Sequence, residues 1–395
     1  MLSEHSVVGH WSGDFDEAAL QAWAEELRAQ LAAPHVSLGL VFMSPSFFPD
    51  ASKILEVLRV HARIPLLAGC SSTGLIVNGA ELENAGGLVL GLYSFGDCKM
   101  ATHRFTQEKV DQATGPDFWL AETGVSRETT NGWLVFCDPF GMNCDAWLRQ
   151  WNEVYAPAPI LGGLASGNAG EQRTQVYLNG DVYEDGGVAL SFSGSVGLGS
   201  VISQGCTPIG ETWTITKTER NLIHEIANRP AYEVLMDTFK ALNRAEQKKA
   251  RGNLFVGLVI NEYLENFQRG DFLIRNLLGA DPNSGCIAVG AFPRTGQTIQ
   301  FQRRDASAAS NDLKVLLATA RKQNKSRVIY GACLCCCNGR GSRLFGRENH
   351  DANLVQDQLG PLGLTGFFCN GELGPVGDQS FLHGYTASLA LFLSQ

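Results

Sequence analysis

The sequence predicts an α/β (α+β) fold of mixed β-sheets flanked by helices, arranged as two domains with internal pseudo-repeats. Three observations predict it. Glycines punctuate short apolar runs, with Gly 44 but only Pro 14 in 395 residues, which fits tight turns between strands rather than disorder. Amphipathic stretches of helical period alternate with those runs. The chain also repeats itself: PLLAGCSSTGLI at 65–76 and PILGGLASGNAG at 159–170 share a proline, a short apolar step and glycines five apart. That spacing alone is weak, since 44 glycines in 395 residues give about 5 such pairs by chance. The flanks are stronger evidence. NGAELENAGGLVLGLYSF from Asn78 follows the first copy and NGDVYEDGGVALSFSG from Asn179 the second, while LVFMSPSFF from Leu40 and LVFCDPFGM from Leu134 precede them. Two related units, about 1–106 and 130–205, therefore make a first domain of 1–205. Residues 206–395 make the second, whose last third repeats the order of strand, helix, glycine segment and closing strand.

The elements follow in order. Asp14 and Glu17 start a helix whose apolar stripe is Leu20, Trp23, Ala24, Leu27 and Leu31. A strand over 36–42 comes next, then a helix after Pro49-Asp50 with Ile54, Leu55 and Leu58 inward and His61 near its end. Pro65 opens the first glycine segment, and strands over 87–95 and 99–105 flank the turn Gly96-Asp97. Residues 106–132 read as a connection with some helix. In the second unit Trp147, Leu148, Trp151 and Val154 form the buried stripe of a helix, and a strand group runs through 175–202. From 204 a strand passes into a helical stretch containing HEIAN at 224–228. One helix over 231–251, a strand over 254–260, three further strands through 305 and a helix with Leu313, Leu316, Leu317 and Ala320 lead to RVIYGACLCCCNGRG.

Composition limits the function. A net charge of -9 and a pI near 5.4 oppose a broad nucleic-acid surface or an anionic membrane partner. Eleven cysteines, an odd number in a long chain without an apolar leader over 1–20, point to a reducing, cytoplasmic setting rather than a disulfide framework. No run approaches the ~18 apolar residues of a membrane span.

The candidate chemistry lies in the glycine segments. GCSSTG at 69–74 resembles a phosphate loop, but Leu75 and Ile76 stand where Lys and Ser or Thr must follow. HEIAN lacks the second histidine of a zinc helix, because position 228 is Asn. In CLCCC, strand alternation sends Cys333, Cys335 and Cys337 to one face and Cys336 to the other, as small buried residues at a strand end, with metal binding and redox chemistry as the alternatives. Glu81, Glu83, Glu184 and Asp185 flank GG turns in both units, which favours a turn requirement over catalysis. The richest stretch is PLGLTGFFCNGELGPVGDQSFLHGYTASLALF at 361–392. Its turns expose backbone N–H groups able to hold a carboxylate. Asn370 and Glu372 add an amide and a carboxylate that can pair an ammonium, a combination suited to an amino-acid-like ligand. Gly371 is expected at positive φ.

GCSSTG, GGLASG, GFFCNGELGP with FLHGYTASLALF, and FLIRNLLGADPNSGCIAVGAFPRTGQTIQFQRRDA together resemble, in order and over nearly the whole chain, the FIST proteins with their N-terminal and C-terminal FIST domains. The resemblance implies a sensory module of signal transduction that binds small molecules such as amino acids. The chain carries no kinase, chemoreceptor or cyclase segment, and residues 1–14 are too short for an F-box, so a separate signalling protein is expected to receive the output. The candidate ligand-binding residues are Gly69, Cys70, Ser71, Gly74, Gly366, Cys369, Asn370, Gly371, Glu372, His383 and Tyr385. The resemblance implies no cofactor, no metal and no catalytic set. Two rivals stay open: an adaptor that recognises protein without a small ligand, and an enzyme that uses Cys369 or His383.

Overall fold

Each glycine segment begins as a strand that must run parallel to the strand before it, and a parallel pair needs a crossover. The computed structural model, which describes residues 4–83, 86–168 and 170–395, shows this arrangement three times. Leu38–Met43 and Leu67–Ser71 pair in parallel around the helix Ala51–His61. Thr130–Cys137 and Ile160–Leu164 do so around Cys144–Tyr155. Ile329–Cys337 and Leu364–Cys369 do so around His350–Leu359. In each module a closing strand returns antiparallel beside the first strand: Leu88–Tyr93, Gly187–Gly194 and Thr386–Ser394.

The hairpin that follows each glycine segment does not stay in its own sheet. Gly74–Val77 with Ala80–Glu83 extends the third module's sheet, Val176–Leu178 with Asp181–Tyr183 extends the first, and Glu372–Val376 with Gln379–His383 extends the second. The exchange is cyclic, and three six-stranded sheets result. Their inner faces share one apolar core, in which the Phe42 ring lies 5.3 Å from Phe136 and 4.5 Å from Phe367. Helices cover the outer faces. Leu20, Ala24, Leu27, Ile54, Leu55 and Leu58 bury over the first sheet, Trp147, Leu148, Trp151 and Val154 over the second, and Leu313, Leu317, Ala352 and Val355 over the third.

The chain divides into two units. One comprises 1–202, 313–382 and 386–395 and holds the three modules; the other comprises 203–312 and 383–385. The second unit is built on a seven-stranded sheet running through Cys206–Glu219, Thr298–Arg304, Leu254–Val259, Phe272–Ala280, Ile287–Val289, Leu222–Ile226 and Arg229–Pro230. Its core includes Ile215, Ile223, Ile226, Val234, Val256 and Phe301.

Several local expectations change. The stretch containing HEIAN is not helical. Leu222–Ile226 is a strand that pairs antiparallel with Cys206–Glu219, because a turn with Arg220 at φ 52 reverses the chain and buries Ile223 and Ile226 on the sheet. The helix expected over 231–251 is two, Ala231–Ala241 and Arg244–Ala250, since the Asn243 side chain caps the second by accepting from the Glu246 N–H at 2.9 Å. The strands on either side of Gly96-Asp97 belong to different sheets, Leu88–Tyr93 to the first and Cys98–Phe105 to the second. Ser6–Trp11, to which the sequence reading assigned no element, is a strand paired with Leu88–Tyr93. The turn residues 84–85, and residues 1–3 of the segment searched for a leader, lie outside the described residues.

Candidate functional site

The first glycine of each segment is a packing requirement. Gly69, Gly162 and Gly366 lie opposite Val41, Val135 and Leu334 in the parallel pairs. A methyl on any of the three would overlap the carbonyl oxygen of that partner. This shared anchor puts the residues before the second glycine, Thr73, Ser166 and Asn370, at equivalent places.

The three tips are bonded to one another. The Thr73 N–H donates to Ser166 Oγ at 3.1 Å, and the Ser166 hydroxyl donates to the Phe368 carbonyl at 2.6 Å. Ser72 donates to the same carbonyl at 2.8 Å. The Asn370 amide donates to the Ala165 carbonyl at 3.0 Å, and the Asn338 amide to Asn370 Oδ1 at 2.8 Å. Against these tips lies an open cleft of about 480 Å³, lined by Thr73, Asn168, Asn338, Asn370, Arg343 and Phe368 among others.

Residues 338–343 bring Asn338 and Arg343 to the cleft, and two groups, Arg340 and Glu83, hold that loop. Arg340 is fully buried and donates to both oxygens of Asp351, at 2.6 and 3.0 Å. Burial alone would raise the Asp351 carboxyl, but the Arg340 guanidinium, with His350 beside it, holds it well below the usual carboxylate range. Glu83 accepts from the Ser342 N–H at 2.6 Å and the Ser342 hydroxyl at 2.9 Å. The carboxylate passes so close to Gly341, at φ +66, that a side chain there would strike it. Glu81 accepts from the Asp351 and Ala352 N–H groups at 2.7 and 2.8 Å, capping the helix His350–Leu359 from a distant hairpin. Burial, then the charge of Asp351, push its carboxyl up to about 7. Glu81 and Glu83 therefore serve the third module's helices, whereas the sequence assigned them to their own turn.

The eleven expected residues separate by location. Gly74 and Asn370 line the cleft. Gly69 and Gly366 sit beneath it at the strand crossing, and Cys70 is buried in the shared core. The Ser71 hydroxyl donates to the Ser166 carbonyl at 3.0 Å and supports a tip from behind. Gly371 is not at positive φ; it is glycine because a side chain would meet the Leu382 and Leu164 methyls. Glu372 is fully buried, with Oε1 3.2 Å from the Cys369 thiol and Oε2 accepting the Thr386 N–H at 3.0 Å. Burial pushes the Glu372 carboxyl up to about 8 and the Cys369 thiol well above its ordinary value, so the thiol stays protonated. His383 and Tyr385 belong to the 203–312 unit, where the Tyr385 ring packs at a tilt against Phe255, centroids 4.3 Å apart, and its hydroxyl meets Asn276. Cys333 and Cys335 face the shared core and Cys336 the helical layer, as strand alternation requires. All eleven cysteines are free.

Thr73, Ser166, Asn168, Asn338 and Arg343 escaped the sequence reading. Aligning the three segments on their first glycines would have found Thr73 and Ser166 beside Asn370. No local pattern marks Arg343, since a short helix between two glycines carries it.

A model of the FIST N domain matches residues 37–229, and a model of the FIST C domain matches residues 231–375. An uncharacterized protein of Mycobacterium tuberculosis (strain H37Rv) is 33% identical over 380 residues, covering 96% of this chain and 97% of that protein. One from Mycobacterium bovis is 33% identical over 380 residues, covering 96% of each. Among solved structures, cyanuric acid hydrolase from A. caulinodans covers 99% of both chains at 7% identity and a TM-score of 0.34. A second cyanuric acid hydrolase structure matches at 8% identity and a TM-score of 0.30. No helix among the described residues is long and apolar enough to cross a membrane.

Proposed function

Because the chain belongs to the family built of a FIST N domain and a FIST C domain, we propose that its cleft takes a small, amino-acid-like metabolite that presents a carboxylate. FIST domains are sensory modules of signal transduction. The observation that carries the proposal is the convergence of three equivalent tips, Thr73, Ser166 and Asn370, beside an arginine, Arg343, that makes no ion pair among the described residues. A guanidinium takes a carboxylate through two parallel N–H donors. The side chains of Asn168 and Asn338 supply further donors and acceptors, and the Phe368 ring gives an apolar wall.

Arg343 takes the carboxylate in this reading, and the buried Glu372 keeps the segment beneath in place. A separate signalling protein receives the output in this reading. Eleven free thiols fit a reducing compartment, the cytoplasm.

The test is a thermal-shift titration with amino acids and small carboxylates. A ligand at about 100 times its dissociation constant adds ~2.7 kcal/mol, so a saturable rise in Tm is expected for one member of the class. Arg343→Ala should abolish that rise while leaving the ligand-free Tm within about a degree. A rise that survives Arg343→Ala removes the cleft as the site, and a flat response to the whole class removes the ligand assignment.

A further inference from the structure

The 203–312 unit holds a thiol–imidazole pair whose two members stand 62 positions apart in the chain. Leu222 pairs with Ala288 and Ile223 with Ile287 across antiparallel strands. One step further the register sets His224 opposite Cys286, where a cross-strand pair shares a face of the sheet. Their side chains meet, with Cys286 Sγ 2.9 Å from His224 Nδ1. The other ring nitrogen faces Glu219, whose Oε2 lies 4.0 Å from Nε2. The turn before the cysteine is tied down, since the Asp281 N–H donates to the Cys286 carbonyl at 3.0 Å and the Gly285 N–H to the Asp281 carbonyl at 3.0 Å.

We propose that Cys286, with His224 as its base and Glu219 behind the ring, is a modification site that small hydroperoxides oxidise to the sulfenic acid. The Ser284 carbonyl, 3.6 Å from the thiol, can accept its proton in a hydrogen bond but cannot remove it. Nδ1 can. In the step, the thiol proton passes to Nδ1 and the sulfur lone pair attacks one peroxide oxygen. The S–O bond forms as the O–O bond breaks, and the proton on Nδ1 goes to the departing oxygen. The thiol is oxidised, the peroxide is reduced to water or an alcohol, and the carboxylate of Glu219 offsets the transient imidazolium.

Burial favours a small reagent: Cys286 is 8% exposed, which disfavours electrophiles bulkier than hydrogen peroxide. Five of the other thiols are held in the protonated form. Burial pushes Cys70, Cys335, Cys336 and Cys369 well above their ordinary value and Cys98 up to about 11. A protonated thiol is a poor nucleophile.

The full chain is exposed to hydrogen peroxide at neutral pH, quenched with catalase, unfolded in the presence of dimedone and mapped by mass spectrometry. Cys286 should gain the sulfenic-acid adduct about tenfold faster than Cys98 or more. His224→Gln, which can accept the thiol hydrogen bond but cannot take the proton, should slow that oxidation by about tenfold or more. The His224 side chain is 28% exposed, so the variant is expected to fold, with Tm as the check. The comparison of Cys286 with Cys98 in the unaltered chain does not depend on it. Oxidation of Cys286 no faster than Cys98, or an unchanged rate in His224→Gln, would overturn the proposal.

Discussion

The bases of the three glycine segments are alike and their tips are not. At the base, Gly69, Gly162 and Gly366 each face the carbonyl of a neighbouring strand with no room for a Cβ. Four residues on, the same chain positions hold Thr73, Ser166 and Asn370, and two of the three line the cleft. A position set by contact between two backbones admits one residue type. A position that faces a cleft admits several, so chemistry can diverge there while the fold stays the same.

Four experiments test that division, beginning with the largest effect. The 338–343 loop beside the tips is held by charge, so Arg340→Met should cost ~3–5 kcal/mol by leaving Asp351 buried and unpaired, and Asp351→Leu added to it should recover most of that loss. Urea denaturation of the single and double variants measures both; a double variant as weak as the single would mean that the loop is held by packing. At the base, Gly162→Ala combines overlap with the Val135 carbonyl and a backbone φ of +129, and should destabilise by about 3 kcal/mol. A loss below about 1 kcal/mol would show that the parallel strands can part there.

The third experiment is pH. Glu81 and Glu372 are raised by burial to about 7 and about 8 in the folded chain. The folded state therefore binds more protons than the unfolded state between the ordinary carboxyl value and those two. Their contribution to stability is fully present below pH ~4.5 and is lost as pH rises through 7 and 8, with a slope approaching ~1.4 kcal/mol per pH unit for each group. Glu81→Gln should flatten the part that ends near 7 and Glu372→Gln the part that ends near 8, as read from Tm against pH. Unchanged profiles would place the protons elsewhere. The smallest change in stability belongs to the tips. Asn370→Ala gives up its bonds to Ala165 and Asn338, about 1 kcal/mol, yet should weaken the ligand response strongly. Equal responses before and after would separate the tips from binding.

Much of the fold was legible because backbone constraints leave marks at fixed spacing. The glycines five apart, the turn residues Asn78 and Asn179 at positive φ, and the tryptophan stripe of Cys144–Tyr155 are all local signals. HEIAN misled because its apolar residues fit a helix as well as an irregular strand, and only pairing across Cys206–Glu219 decides between them. Glu81 looked like a turn residue because it lies 270 positions from the helix it caps.

The amino-acid sequence by itself determined the repeating strands, the outer helices, the glycine anchors and the family, since each depends on neighbours within a few residues or on a motif repeated whole. Only the tertiary structure decided that each hairpin leaves its own sheet for another's, that Thr73, Ser166 and Asn370 meet, that Arg340 is buried on Asp351 beneath Arg343, and that His224 faces Cys286. Those are pairings between distant segments, set by which apolar faces can be buried together, and the local pattern of a chain does not record the partner that each face will find.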